Sequence, residues 1–207
     1  MWRAAADIME RRKQRILLVL VMLATLMVSA CRSVDPVVKV GLVAPFEGRH
    51  RDIGDDVLYG ARLAVRQLNA AGGIDGTRVA LVALDDSGNP EFAAATADSL
   101  IVDPNVVAVV GNWLPETTAV AGPHYAENGL AFLAGGDDPF LPVDPAQLPA
   151  EFVYAYTAVT PFDEVPGPYA APAYEAYQSL WDLFARTQER YGVITRATVN
   201  QTLGESE

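Results

Sequence analysis

Apolar and polar positions along this chain follow two rhythms that take turns. Val37 to Val43 is a β-branched run interrupted by Lys39 and Gly41, which predicts a strand. From Gly54 to Ala71 the positions Val57, Ala61, Ala64, Val65 and Leu68 share one face of a 3.6-residue period, the pattern of an amphipathic helix. Gly72-Gly73 then supplies the left-handed backbone that helix C-termini favour. Val79 to Leu84 predicts a second strand, closed by Asp85-Asp86. Asn89-Pro90 reads as a cap followed by proline at the first helical position, with Ala93, Ala97, Leu100 and Ile101 turned inward. Asp103-Pro104-Asn105 turns the chain into Val106 to Val110, whose valine content fits a strand buried on both faces. A helix over 116–127 follows, with Pro123 expected to bend it, and Leu130 to Ala134 predicts a fourth strand.

Alternating strands and helices predict an α/β fold: a parallel sheet with right-handed crossovers and helices on both faces. Ligands in such sheets sit outside the carboxyl ends of the strands. Four loops lie there: Pro45 to His50, Asp85 to Asn89, Asn112 to Thr118, and Gly135 to Phe140. Beyond Gly135 the pattern weakens. Pro139, Pro142, Pro145 and Pro149 punctuate a turn-rich connection, and Phe152 to Val159 fits either a strand or the end of a helix. Gly167-Pro168 opens a long helix to about Tyr191, with Ala173, Tyr177, Leu180, Trp181 and Phe184 as its buried stripe. Thr195 can cap a last short helix carrying Val199 and Leu203.

Charge placement adds a location. Arg11, Arg12, Lys13 and Arg15 precede an uncharged run from Ile16 to Ala30, too short to span a bilayer comfortably, and Val28-Ser29-Ala30-Cys31 closes it. A basic region, a short apolar region and small residues before a cut site make a secretory signal, and this one resembles a bacterial lipobox, in which the cysteine is acylated. The competing reading is a lone cysteine ending a transmembrane segment. Cys31 is the single cysteine, so no intrachain disulfide forms. The net charge is -11, and the basic leader leaves the remainder near -14, which disfavours nucleic acid and anionic lipid as partners. Two histidines and no second cysteine argue against zinc, and no spaced calcium loop occurs.

Several stretches in order are similar to the periplasmic binding proteins of branched-chain amino-acid type, the solute receptors of ABC importers. They are VKVGLVAPFEG (38–48), GDDVLYGARLAVRQLNAAGGIDG (54–76), VALVALDDSGNP (79–90), DPNVVAVVGNW (103–113), PHYAENGLAFLAGG (123–136) and GPYAAPAYEAYQSLW (167–181). The resemblance implies a doubly wound parallel sheet, the first lobe of a two-lobed clamp, truncated so that most of the second lobe is missing between about Gly136 and Gly167. It implies a leader over 1–30, a tether over 31–36 and a binding lobe over 37–140. A Pro-rich connection over 141–166 would replace the second lobe, and C-terminal helices over 167–207 would pack on the first. Partners would be a small solute, an ABC permease and the membrane through a lipid on Cys31, at the extracytoplasmic face. No cofactor and no catalysis are expected.

Amino-acid binders of this family place hydroxyls after the third and fourth strands to receive the ligand carboxylate. Here those loops read Trp113-Leu114-Pro115-Glu116-Thr117-Thr118 and Gly135-Gly136-Asp137-Asp138, with a proline and carboxylates instead. Candidate ligand residues are therefore Phe46, Trp113, Glu116, Thr117, Thr118, Gly136 and Asp138, for a cationic, polar-neutral or aromatic ligand. Each has a plainer reading. Trp113 can be rim packing, Thr117 and Thr118 helix caps, and Glu116 a complement to the helix dipole. Asp85-Asp86 could mimic a phospho-receiver pair, but loop solvation and capping suit it better. His124 lacks catalytic partners, and neither a G-x-x-x-x-G-K-[ST] nor a G-x-S-x-G motif occurs. Two functions of different class follow: a lipid-anchored solute-binding protein, or a single-lobe interaction or sensor scaffold that dimerises through its exposed cleft face. An enzyme reusing the sheet is the third reading, without a catalytic constellation to support it.

Overall fold

The valine-rich runs form one sheet. The computed structural model describes residues 35–134 and 141–205, so Cys31, the leader, Gly136 and Asp138 lie outside the described residues. Strands β1 (Val37–Ala44), β2 (Arg78–Asp85), β3 (Val106–Val110) and β4 (Ala131–Leu133) are all parallel, in the order β2-β1-β3-β4. Helices α1 (Arg51–Ala70), α2 (Pro90–Ile101) and α3 (Pro115–Glu127) are the crossovers, and α4 (Ala150–Thr157), α5 (Ala170–Tyr191) and α6 (Arg196–Gly204) follow.

Alternation along β1 separates two layers. Val40, Leu42 and Ala44 meet Val57, Ala61 and Ala64 of α1, Tyr177 and Phe184 of α5, and Val199 of α6. Val43 points the other way, to Ala93, Ala97 and Leu100 of α2 and Ala121 and Tyr125 of α3. Every residue of β3 is buried, as its valine run predicts. The sheet is thus doubly wound, with α1, α5 and α6 on one face and α2 and α3 on the other. Asn89 caps α2 by accepting from the Glu91 amide at 2.8 Å, and Thr195 begins α6 with a capping box shared with Thr198.

The structure departs from the periodicity in three places. Helix α1 starts at Arg51, three residues before Gly54, after a 3-10 turn over Gly48–His50. Gly54 looked like a boundary; it is instead a contact, because a Cβ there would lie 2.2 Å from the Pro45 carbonyl oxygen. The ambiguous segment Phe152 to Val159 is mostly helix α4. It packs on α1, with Tyr156 edge-on to Tyr59 at 6.2 Å, and on α5, with Phe152 edge-on to Tyr174 at 5.5 Å. In α6, Val199 is buried and Leu203 is exposed. Thr202 takes the inward position and accepts a hydrogen bond from the Thr187 hydroxyl at 2.9 Å. Helix α3 runs through Pro123 unbroken from Pro115 to Glu127.

Candidate functional site

Strand order reverses between β1 and β3, since the chain leaves β1 for β2 on one side and returns to β3 on the other. Such a reversal opens a crevice above the carboxyl ends of the two strands. Three predicted loops converge there, and two neighbouring carboxylates join them.

Asp85 ends β2. One of its oxygens accepts from the amides of Phe46 and Ser87, each at 2.8 Å, and the other accepts from the Ser87 hydroxyl at 2.6 Å. Burial alone would raise its pKa, but the Ser87 and Phe46 hydrogen bonds outweigh it and hold the carboxyl below the usual range. A depressed folded-state value means stability that is complete above the unfolded pKa of about 3.9 and lost as pH falls through the lower folded value. The melting-temperature difference between the wild type and D85N should therefore be constant at neutral pH and shrink toward zero in acid. A difference that grows in acid contradicts this placement of the charge.

Asp86 is fully buried. Its Oδ1 accepts from the Gly88 amide at 3.0 Å and its Oδ2 from the Asn112 side-chain amide at 2.7 Å, while its own amide donates to Ala44 O. Asn112 in turn accepts a long bond from the Tyr125 hydroxyl at 3.5 Å. Burial first, and the Asp86 charge second, push the Tyr125 pKa far up, so that hydroxyl stays a donor. Asp86 thus ties the ends of β1, β2 and β3 together. Capping of α2 falls to Asn89 alone, and no free carboxylate remains at Asp86 for a phospho-receiver role.

Gly111 precedes this knot with φ +117, and a Cβ there would sit 2.2 Å from Val43 O, so the turn out of β3 requires glycine. Trp113 follows, 3 % exposed, with its ring edge-on to Tyr169 at 6.3 Å and 86°. The structure makes Trp113 part of the core, packed edge-on against the partly exposed Tyr169. Tyr169 is held by Asp56 of α1, whose carboxylate accepts from the Gly167 and Tyr169 amides, both at 3.0 Å. Burial raises the Asp56 pKa despite these two bonds.

The predicted threonine caps do not cap. Leu114 occupies the N-cap position of α3 without a side-chain bond. The Thr117 hydroxyl is fully buried and donates to Leu114 O at 3.0 Å, and that of Thr118 donates to Asn112 O at 2.8 Å. Glu116 is exposed in the first turn of α3, where it complements the dipole, and Phe46 is half-buried beside the Asp85 loop. The structure therefore brings Phe46, Trp113, Glu116, Thr117 and Thr118 to one end of the sheet, while Gly136 and Asp138 lie outside the described residues. Sequence reading missed Asp56 and Tyr169, which lack any local signal, and the Asp86–Asn112 bond, for which the Asp-Asp doublet was the one hint. His124 lies outside the crevice, on the surface, 3.0 Å from Asp98. Among the described residues no three His, Cys, Asp or Glu side chains converge as a metal site, and no helix is long and apolar enough to cross a membrane.

A family model described as periplasmic binding protein matches residues 37–149, more than half of the chain. An amino acid binding protein of Pseudomonas aeruginosa is 34% identical over 99 residues, 48% of this chain and 26% of that protein. The Leu/Ile/Val-binding protein BraC3 of Rhizobium johnstonii is 38% identical over 96 residues, 45% of this chain and 25% of that one. The chain therefore spans about a quarter of the length of these curated relatives. Among solved structures, the branched-chain amino acid transporter substrate binding protein LivJ from Streptococcus pneumoniae, in complex with isoleucine, matches with a TM-score of 0.65 at 15% identity. That match covers 81% of this chain and 87% of the other, and at this identity it is a likeness of fold.

Proposed function

The chain belongs to the periplasmic binding proteins, and from that we propose that it is a solute-binding protein of an ABC importer, tethered outside the cytoplasmic membrane through acylated Cys31. As a member of this family it is not an enzyme. The observation that carries the reading is the crevice. Loops after β1, β2 and β3 are fastened to one another by Asp85 and Asp86, which pre-forms a binding edge at the reversal of strand order. A pre-formed edge lowers the ordering cost of binding.

The ligand would be a small amino-acid-like or related polar molecule. Pro115 withholds an amide at the start of α3, and Glu116 is exposed in its first turn. Together they disfavour a bare carboxylate there, so cationic, polar-neutral and aromatic solutes fit better. Phe46, Glu116 and Thr118 are the proposed contacts, with Trp113 and Thr117 supporting from below, Tyr169 beside them, and Gly136 and Asp138 completing the set. In a two-lobed receptor of this kind, the clamp would close on this edge from a second lobe.

A thermal-shift screen of the full chain against amino acids, polyamines and small amides tests this. Saturable stabilisation by one ligand class is the expected result, since a ligand specific to the native state raises the midpoint. Flat curves for every class, together with a dimer by light scattering, would replace it with the scaffold reading. One observation favours that second reading: Tyr154, Phe162 and Val165 are 80, 81 and 74 % exposed, and Leu141 is 54 % exposed, large apolar side chains that a second copy could cover. Anchoring has its own test. The wild type should incorporate labelled palmitate and C31S should not, and equal labelling of the two would dismiss the anchor.

A further inference from the structure

A groove of about 490 Å³ lies at the opposite end of the lobe from the crevice. The turn at Ile74 to Thr77 leads directly into β2, and the Arg78 amide bonds to Pro36 O just ahead of β1, so this is the amino end of the sheet. The groove runs between that turn, the last turns of α1 and the second half of α5.

Its chemistry is of two kinds. Leu68, Ile74 and Trp181 give it an apolar lining, and Asp75, Asp182 and Glu189 are the charged groups around it. All three carboxylates are exposed, and among the described residues none has a cationic partner within ion-pair distance. Nearby arginines are engaged elsewhere: Arg78 donates to Asn69 O, and Arg190 pairs with Glu205 at 2.6 Å. Trp181 is 6 % exposed, stacked at a tilt on Tyr177 and Phe184, and its Nε1–H has no acceptor among the described residues. A buried N–H without an acceptor is uncommon in native structures. The cavity is of the size small-molecule sites take.

We propose that this groove binds a small organic cation with a flat apolar body. The body would lie against Leu68, Ile74 and Trp181, and the ammonium would face the three carboxylates. The net charge of -11 would draw such a ligand in. This site does not depend on the crevice, and the two can be tested apart.

Tryptamine and indole-3-acetate are suitable probes, sharing one ring and differing in charge. The full chain labelled with nitrogen-15 has three tryptophans, and the indole N–H signal of Trp181 can be assigned with W181F. Tryptamine should shift the Trp181 signal saturably, whether or not the Trp113 signal at the crevice also moves. Indole-3-acetate should bind at least tenfold more weakly, and the D182N/E189Q double variant, altered at exposed positions, should lose at least tenfold for tryptamine. An unmoved Trp181 signal, an equal response to the anion, or full affinity in the double variant would overturn the proposal. A shift of Trp113 instead would report the crevice.

Discussion

Replacing Asp86 with alanine should cost about 3 kcal/mol of stability, because it strips a fully buried carboxylate from two hydrogen bonds and leaves their donors facing apolar surroundings. For a domain of this size that corresponds to a fall in melting temperature of roughly 6–12 °C. The donors left behind are the Gly88 amide and the Asn112 side-chain amide, so the loops after β2 and β3 lose their common tie. D86A should accordingly abolish any ligand-induced thermal shift at the crevice, and should do so even at temperatures where the variant is still folded. D86N should lose less, since its carbonyl oxygen can still accept from Gly88. D98A, at an exposed position, should change the stability by no more than about 0.5 kcal/mol. A D86A midpoint within 2 °C of wild type would show that the knot contributes little.

Replacing Arg196 with alanine should have an effect of similar size at the other end of the sheet. The guanidinium donates to four backbone carbonyls, those of Leu100, Ile101, Asp103 and Val106. Two of these lie in the last turn of α2, where carbonyls have no partner within the helix. Arg196 therefore closes α2, the turn into β3 and the start of α6 with one side chain. Burial lowers its pKa somewhat, and the nearby Asp103 charge opposes the shift, so it remains charged. R196A should cost about 3 kcal/mol, as hydrogen bonds from charged groups are worth roughly 1.5–3 each and are not additive. R196K should recover part of the loss, because a lysine carries the charge but lacks the planar fork that reaches four carbonyls. R190A, which removes an exposed ion pair, should change the midpoint little. Hydrogen exchange at the amides of α2 and α6 would localise the damage, and uniform exchange across the domain would count against a local staple.

Where the sequence reading succeeded, the signal was local. Val106 to Val110 had to be buried on both faces because nothing along it is polar, and it is. Asn89-Pro90 had to start a helix because its side chain and ring suit that one position, and it does. Where it fell short, the cause was a contact with a residue remote in sequence. Gly54 looked like a helix boundary because glycine often is one; the Pro45 carbonyl pressed against it gives the actual reason. In α6 the apolar Leu203 is exposed while Thr202 is buried, where it accepts a hydrogen bond from Thr187. Thr117 and Thr118 looked like caps by type, yet both hydroxyls donate to carbonyls.

Sequence by itself determined the succession of strands and helices as far as β4, their parallel arrangement, and the end of the sheet where the proposed site lies. Periodicity and capping are properties of neighbouring residues, so they survive without knowledge of the fold. Tertiary structure decided which polar groups there are spent and which remain. Asp86 is consumed by Gly88 and Asn112, Asp56 by Gly167 and Tyr169, and Trp113 is folded beneath Tyr169. A buried polar group must find its partner wherever the packed chain places one. That choice is made across 26 residues for Asp86 and 111 for Asp56, and no local pattern records it.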